Sequence, residues 1–223
     1  MKDWTDYFSN ETQFACIQHK ELSYCSIYRD LMPYVNITDN ILDFGCGEGL
    51  FSEKLSKHCA NVFLYDSSPR ILERLHVAIK KNNIKITNNF INLKSIDLVL
   101  MSSVSQYVTQ AELCEILKNL KECLGSNGKI ILSDVIPLKN SILKETLDLF
   151  KVSLENKFFL RALLKIFSSF FGEYSTMRSK FPLTKYSPDC VRRISESLGY
   201  KCKTKNTNIG LNPNRLTFIL QKI

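Results

Sequence analysis

From residue 41 onward, apolar residues come in short unbroken runs. Between the runs they recur every three or four positions. The clearest runs are Ile41-Leu42-Asp43-Phe44, Asn61-Val62-Phe63-Leu64-Tyr65-Asp66, Ile96-Asp97-Leu98-Val99-Leu100-Met101 and Lys129-Ile130-Ile131-Leu132-Ser133-Asp134. Their length and the turn residues around them mark strands buried on both faces. Ile84 to Ile86 is a weaker strand. Helical spacing opens at Leu50 to Leu55, resumes after a Ser67 or Ser68 cap with Pro69 in its first turn, and returns near 110–123. Gly125-Ser126-Asn127-Gly128 reads as the turn before the fifth strand.

The strand pattern stops at about residue 138, and 138–180 reads as helical. Ser187-Pro188-Asp189 then starts a helix that ends at Leu198-Gly199. Tyr200 to Thr207 and Leu216 to Gln221 read as two closing strands of a hairpin. Residues 1–35 read as one or two helices ended by Pro33. Repeated strand–helix units with right-handed crossovers predict an α/β fold. The expected fold is a doubly wound, mostly parallel seven-stranded sheet with helices on both faces, plus a helical insertion between strands 5 and 6. One domain is expected over 1–223, with 1–35 as an N-terminal cap and 138–180 as a lid.

Composition narrows this picture. At 223 residues, 44% hydrophobic and 23% charged, the chain is expected to bury a core. The opening MKDWTDYFSN has two aspartates and no apolar run, unlike a signal or transit peptide. Eight cysteines form no C-x-x-C pair and no zinc-spaced cluster, so no metal site is expected and a reducing, cytoplasmic setting is. The formal charge of +8 is lopsided: residues 1–110 carry 11 Lys/Arg against 12 Asp/Glu, and residues 111–223 carry 19 against 10. That excess suits an anionic acceptor, RNA or an acidic membrane surface, and equally a lysine-rich solvated face. The apolar 158–171 segment, with Arg161 and Lys165 four apart, is too short and too charged to span a bilayer. It is expected to be a lid, with a core helix or membrane-surface contact as alternatives.

The chemistry concentrates at Asp43-Phe44-Gly45-Cys46-Gly47-Glu48-Gly49, where a strand runs through glycines into a helix. Such a turn presents free backbone N–H groups and lets a ligand come close. The dinucleotide register G-x-G-x-x-G fails, because Leu50 stands where the third glycine belongs. Glu48 would also lie beside a pyrophosphate. A cationic nucleoside without phosphate fits better. Asp66, 17 positions after Gly49, can accept bonds from both ribose hydroxyls or cap the next helix.

These residues resemble motif I and the ribose-binding acid of class I S-adenosylmethionine-dependent methyltransferases. Ile96-Asp97-Leu98-Val99 with Ser102 to Val108 is similar to that family's fourth strand and following loop, and Leu198-Gly199-Tyr200 to the turn before its sixth strand. The resemblance covers about 40–135 well and 182–223 more loosely. It implies S-adenosylmethionine as cofactor and S-adenosylhomocysteine as product. It also implies a cofactor site at Asp43, Gly45, Cys46, Gly47, Gly49, Asp66, Ser67 and Ser102. Asn88 or Asn89 stands where the family has an adenine-side acid, and Asn89 is the candidate taken. Arg29 is a candidate for the methionine carboxylate, as arginines are in some relatives.

Methyl transfer from a sulfonium is an in-line displacement that depends chiefly on positioning. A base is needed only where the acceptor must lose a proton early. His19, Tyr107 and Asp134 are the candidates. The loop after the fourth strand lacks the Asn/Asp-Pro-Pro-aromatic motif of enzymes that methylate flipped bases, which weighs against nucleic acid. A small-molecule or glycan acceptor methylated at oxygen is the leading expectation. An N-methyltransferase, an RNA methyltransferase and a non-catalytic S-adenosylmethionine-binding protein are alternatives.

Overall fold

A computed structural model of the chain describes residues 4–9, 14–139 and 141–223. Seven strands form one sheet in the order β3-β2-β1-β4-β5-β7-β6. They are β1 (Asn40–Phe44), β2 (Asn61–Tyr65), β3 (Ile84–Thr87), β4 (Ile96–Ser102), β5 (Leu124–Val135), β6 (Tyr200–Thr204) and β7 (Leu216–Lys222). β1 to β5 are mutually parallel, while β7 runs antiparallel between β5 and β6. The helices are α1 (Trp4–Phe8), α2 (Ile17–Leu31), α3 (Leu50–Leu55), α4 (Pro69–Ala78), α5 (Gln110–Cys123), α6 (Ile142–Glu155), α7 (Phe159–Phe171), α8 (Glu173–Lys180) and α9 (Pro188–Ser197).

Strand periodicity divides the core between the two faces of the sheet. Leu42, Val99, Met101, Ile130, Leu132 and Phe218 pack under α5 and α9. Ile41, Leu98, Leu100 and Ile131 face α2, α3 and α4. Local capping fixes where helices start. Ser68 accepts from Ile71 N at the head of α4, and Thr109 with Glu112 closes a reciprocal capping box on α5. Each such cap stabilises by about 1 kcal/mol.

Two elements depart from the sequence pattern. Gly125–Gly128 is not a turn outside the strand. β5 already begins at Leu124, opposite Ile96, and its next partner pair is Lys129 with Leu98. The four residues between bulge out of the ladder. A Cβ on Gly128 would stand 2.8 Å from the Ile96 carbonyl oxygen, so glycine lets the strand close back onto β4. β6 also stops at Thr204, three residues short of the expected end.

The segment after β5 folds into α6, α7 and α8. Glu145, Asp148, Leu149 and Val152 of α6 face inward, while Leu143, Leu147 and Leu154 are more than half exposed on the outside. Leu160, Leu164 and Phe167 of α7 are exposed as well. α1 meets this insertion through an aromatic cluster in which Trp4 lies 5.1 Å from Tyr107 and 5.7 Å from Tyr174, with its Nε1 donating to Phe181 O at 3.2 Å. None of the described helices is long and apolar enough to cross a membrane.

Candidate functional site

The first wall of the site is the loop between β1 and α3. Gly45, Gly47 and Gly49 all have positive φ (75°, 53° and 64°). A Cβ on Gly45 would stand 2.4 Å from Val104 Cγ2, so this glycine lets the loop after β4 close over β1. A Cβ on Gly47 would meet nothing within 4 Å, because that position opens into the cavity. Gly45 N and Cys46 N donate to the Tyr65 carbonyl at 2.8 and 3.0 Å, which ties the loop to the end of β2.

Asp66 follows directly. Its Oδ2 accepts from Gly47 N at 3.1 Å and its Oδ1 from Ser68 N at 2.9 Å. One carboxylate thus holds both the glycine loop and the head of α4, and Ser68 is the residue that caps the helix. Asp43, buried below the loop, accepts from Ser52 Oγ of α3. Burial, opposed by that bond and reinforced by Asp66, pushes the Asp43 carboxyl up to about 7. Asp66 is also raised by burial, against its backbone donors and Arg74. Glu48 pairs with Lys20 at 2.6 Å. At the end of β4, the Ser102 hydroxyl is buried without a hydrogen-bond partner.

The opposite wall forms where β5 ends. Asp134 has φ 58° and accepts from Ser103 Oγ at 2.6 Å. Asn208 accepts from Asp134 N at 3.1 Å and donates to its carboxylate at 3.4 Å. Burial raises the Asp134 carboxyl, with Arg215 and the Ser103 bond opposing. Arg215 reaches Glu145 through Nε at 2.6 Å and Nη2 at 3.2 Å, and donates to Gln106 through Nη1 at 3.1 Å. The Nε contact is an ion contact and not an aligned hydrogen bond. Asp148 accepts from Asn214.

One cavity of about 1090 Å³ joins these two walls. Of the residues singled out from sequence, Asp43, Gly45, Cys46, Gly47, Asp66, Ser67, Ser102, His19, Tyr107 and Asp134 line it. Gly49 does not. It heads α3 and faces Leu64, Leu75 and Ile79 of the core. Asn89 is also off the cavity, because its side chain accepts from Ile91 N and caps a short turn. Arg29 points to solvent, 74% exposed, and bonds Asp30 and Ser26 of its own helix. His19 lies against Phe158, its ring centroid 5.6 Å away. Its Nδ1 accepts from Ala15 N, and burial lowers its pKa. Burial raises the Tyr107 phenol, which keeps its proton.

Sequence reading missed Glu145, Asp148, Arg215 and Arg74. For the first two a signal existed. Glu145, Asp148 and Val152 recur at helical spacing on one face, opposite Leu143, Leu147 and Leu154. Among the described residues no lysine lines the cavity. Several lysines of the basic second half have structural places instead. Lys121 and Lys222 donate to backbone carbonyls at strand and helix ends, and Lys201 and Lys203 are on the edge strand β6. Among the described residues no group of three His, Cys, Asp or Glu side chains is placed to hold a metal.

Comparison with known proteins matches this fold. A methyltransferase-domain family model matches residues 42–130. Nodulation protein S of Sinorhizobium fredii is 25% identical over 103 residues, 44% of this chain. The match spans about half of that relative's length, 48%. Among solved structures, the N-methyltransferase NodS of Bradyrhizobium japonicum WM9, in complex with S-adenosylhomocysteine, superposes with a TM-score of 0.59. It is 12% identical, covering 98% of this chain and 96% of that one. The magnesium protoporphyrin IX methyltransferase of Synechocystis PCC 6803, with bound SAM, gives a TM-score of 0.57. It is 14% identical, covering 96% and 86%.

Proposed function

Because a methyltransferase-domain family model matches residues 42–130, we propose that the chain is a class I, Rossmann-like S-adenosylmethionine-dependent methyltransferase that moves a methyl group from S-adenosylmethionine to a small molecule. The observation that carries this reading is the single cavity running from the glycine loop and Asp66 to Asp134 and the inner face of α6. Two ligands can meet there end to end, as an in-line displacement requires.

The residues fit the cofactor. Gly47 leaves open space above the loop, and the Ser102 hydroxyl has no protein partner. Asp66 accepts backbone N–H bonds from Gly47 and Ser68, with Ser67 N also close, and keeps lone-pair room for a ribose hydroxyl. With Glu48 neutralised by Lys20, Asp43 and Asp66 set the charge at the loop. They favour a cationic nucleoside over a pyrophosphate. When bound, S-adenosylmethionine supplies an electrophilic methyl group. The chain holds the acceptor in line with it and excludes water with Trp4, Phe8, Tyr107 and Tyr174. In this reading 1–35 is the cap and 138–180 the lid of one catalytic domain, and the eight free cysteines fit a reducing cytoplasm.

The relatives include an N-methyltransferase and a porphyrin methyltransferase, so likeness does not choose the acceptor atom. A glycan remains within the small-molecule reading. RNA is less well supported, since no lysine among the described residues reaches the cavity. The outward face of α6 and α7 supports a second contact. Leu143, Leu147, Leu160 and Leu164 are 65–78% exposed there. Residues 138–180 carry eight Lys/Arg against four Asp/Glu, and two of those acids, Glu145 and Asp148, face the cavity. This combination suits an anionic lipid surface.

The deciding experiment is calorimetric titration with S-adenosylhomocysteine, beside NADH and an Asp66→Ala variant. One-site binding at about micromolar affinity is expected, weakened roughly tenfold or more in the variant. No heat from folded wild-type protein would overturn the reading. Normal cofactor binding without turnover on broad acceptor pools would support the non-catalytic alternative.

A further inference from the structure

We infer that the acceptor is a positively charged amine, bound between Asp134 and the carboxylates on the inner face of α6. The inference rests on the methyltransferase reading and specifies the other half of the same cavity.

Charge carries the argument. Among the described residues six carboxylates line the cavity (Asp43, Glu48, Asp66, Asp134, Glu145 and Asp148), against two guanidinium groups, Arg74 and Arg215, with Glu48 paired to Lys20. Arg74 stands on α4 beside Asp66. At the acceptor end the cation is Arg215. It is turned onto Glu145 through two nitrogens, and its third meets Gln106. Glu145 offsets that cation, although Arg215 still acts on Asp134 at longer range, and with Asp134 and Asp148 the acceptor end holds three carboxylates to one guanidinium. The hydrogen-bond partners of Asp134 and Asp148 are neutral: Ser103 and Asn208 for Asp134, and Asn214 for Asp148. Neither makes a salt bridge among the described residues. A carboxylate away from water is costly without a compensating cation. A ligand ammonium supplies one.

Acceptor chemistry points the same way. A phenolate or carboxylate acceptor would enter a field of its own sign. A neutral alcohol holds its proton far too tightly for a carboxyl group to remove it in advance. An ammonium is much better matched to a carboxyl group whose proton affinity burial has raised. The backbone adds a separate sign of function. Asp134 and its partner Ser103 both have φ in the left-handed region, 58° and 60°, which costs about 1–2 kcal/mol each and clusters at functional sites.

The ammonium gives one proton to the Asp134 carboxylate and becomes a neutral amine. The amine lone pair forms the N–C bond while the S–C bond of S-adenosylmethionine breaks and its electron pair stays on sulfur. The products are a methylated ammonium and neutral S-adenosylhomocysteine.

The test uses three isosteres of different charge: phenethylamine, 2-phenylethanol and phenylacetate. Each is titrated calorimetrically into protein saturated with S-adenosylhomocysteine at pH 7.5. The amine is expected to bind at least tenfold more tightly than the alcohol, about 1.4 kcal/mol, and the acid more weakly than either. Asp134→Asn should erase most of the amine's advantage and leave S-adenosylhomocysteine affinity within about twofold. If the alcohol or the acid matches the amine, or the amine gives no binding at about 10 mM, the inference is overturned while the methyltransferase reading stands. If S-adenosylhomocysteine itself does not bind, that reading fails first. The wild-type comparison remains decisive should Asp134→Asn not fold.

Discussion

Ser103 and Asp134 are the residues that follow the last ladder pair of β4 and β5, Ser102 with Ser133, and a 2.6 Å hydrogen bond joins their side chains. Both have positive φ, and they are two of the four non-glycine residues that do so among those described. The two strand ends are thus bent by the same device and locked to each other. Removing the donor should be felt in stability. Ser103→Ala is expected to lose roughly 1.5–3 kcal/mol in urea denaturation at pH 8, because the buried carboxylate then keeps only Asn208. A loss below about 0.5 kcal/mol would mean that the bond stabilises nothing.

Asp43 makes the free protein pH-sensitive near neutrality. Its carboxyl titrates at about 7 when folded, against the ordinary 3.8. A raised folded value means that the folded state holds the proton more tightly. The stabilising contribution is therefore complete below about pH 4 and lost as pH rises through 7. His19 acts in the opposite sense, but only below its ordinary 6.5. Wild-type stability should therefore fall relative to that of Asp43→Asn between about pH 4 and 7 and run level with it above about pH 8. Denaturation curves with equal slopes would assign the pH dependence elsewhere.

Gly45 gives a test of the close approach between β1 and the loop after β4. Gly45→Ala meets Val104 Cγ2 and adds strain at φ 75°, so it should destabilise by about 1–3 kcal/mol and weaken S-adenosylhomocysteine binding. Val104→Ala in the same molecule should recover part of the loss. Thermal melts of the two single variants and the double variant measure the coupling. Simple additivity would show that contact with Val104 is not the cause.

The outer face of the lid can be tested without touching the cavity. Wild-type protein should sediment with phosphatidylglycerol vesicles and not with phosphatidylcholine vesicles. Leu160→Ser with Leu164→Ser should reduce that binding at unchanged melting temperature, since both residues are about 70% exposed. Equal sedimentation of the variant would remove the proposed lipid contact.

Much of this was legible in the chain because strands buried on both faces have few alternatives. Ile41 to Phe44, Val62 to Tyr65 and Ile96 to Met101 could hardly be anything else, and Ser68-Pro69 marked a helix start on its own. The loop glycines were readable because positive φ leaves few other residues. Positions decided by neighbours were harder. Gly125–Gly128 carries every turn signal, yet the ladder with β4 captures it as a bulge. Asn89 lies near the expected adenine side, but its side chain is committed two residues away. The acceptor end needed Arg215 to be set against Glu145, 70 positions earlier, and no local pattern encodes that pairing.

β7 lies between β5 and β6, although it comes after both along the chain. As a ribosome makes the protein, β5 emerges with one edge open, and that edge must wait more than 80 residues for Leu216–Lys222. β6 has no strand partner in the meantime, because its ladder is with β7 alone. Completion of the sheet therefore waits for β7 to emerge. In the interval β5 shows unpaired backbone to any passing strand, and three lysines at 201, 203 and 205 put charge beside the nascent edge.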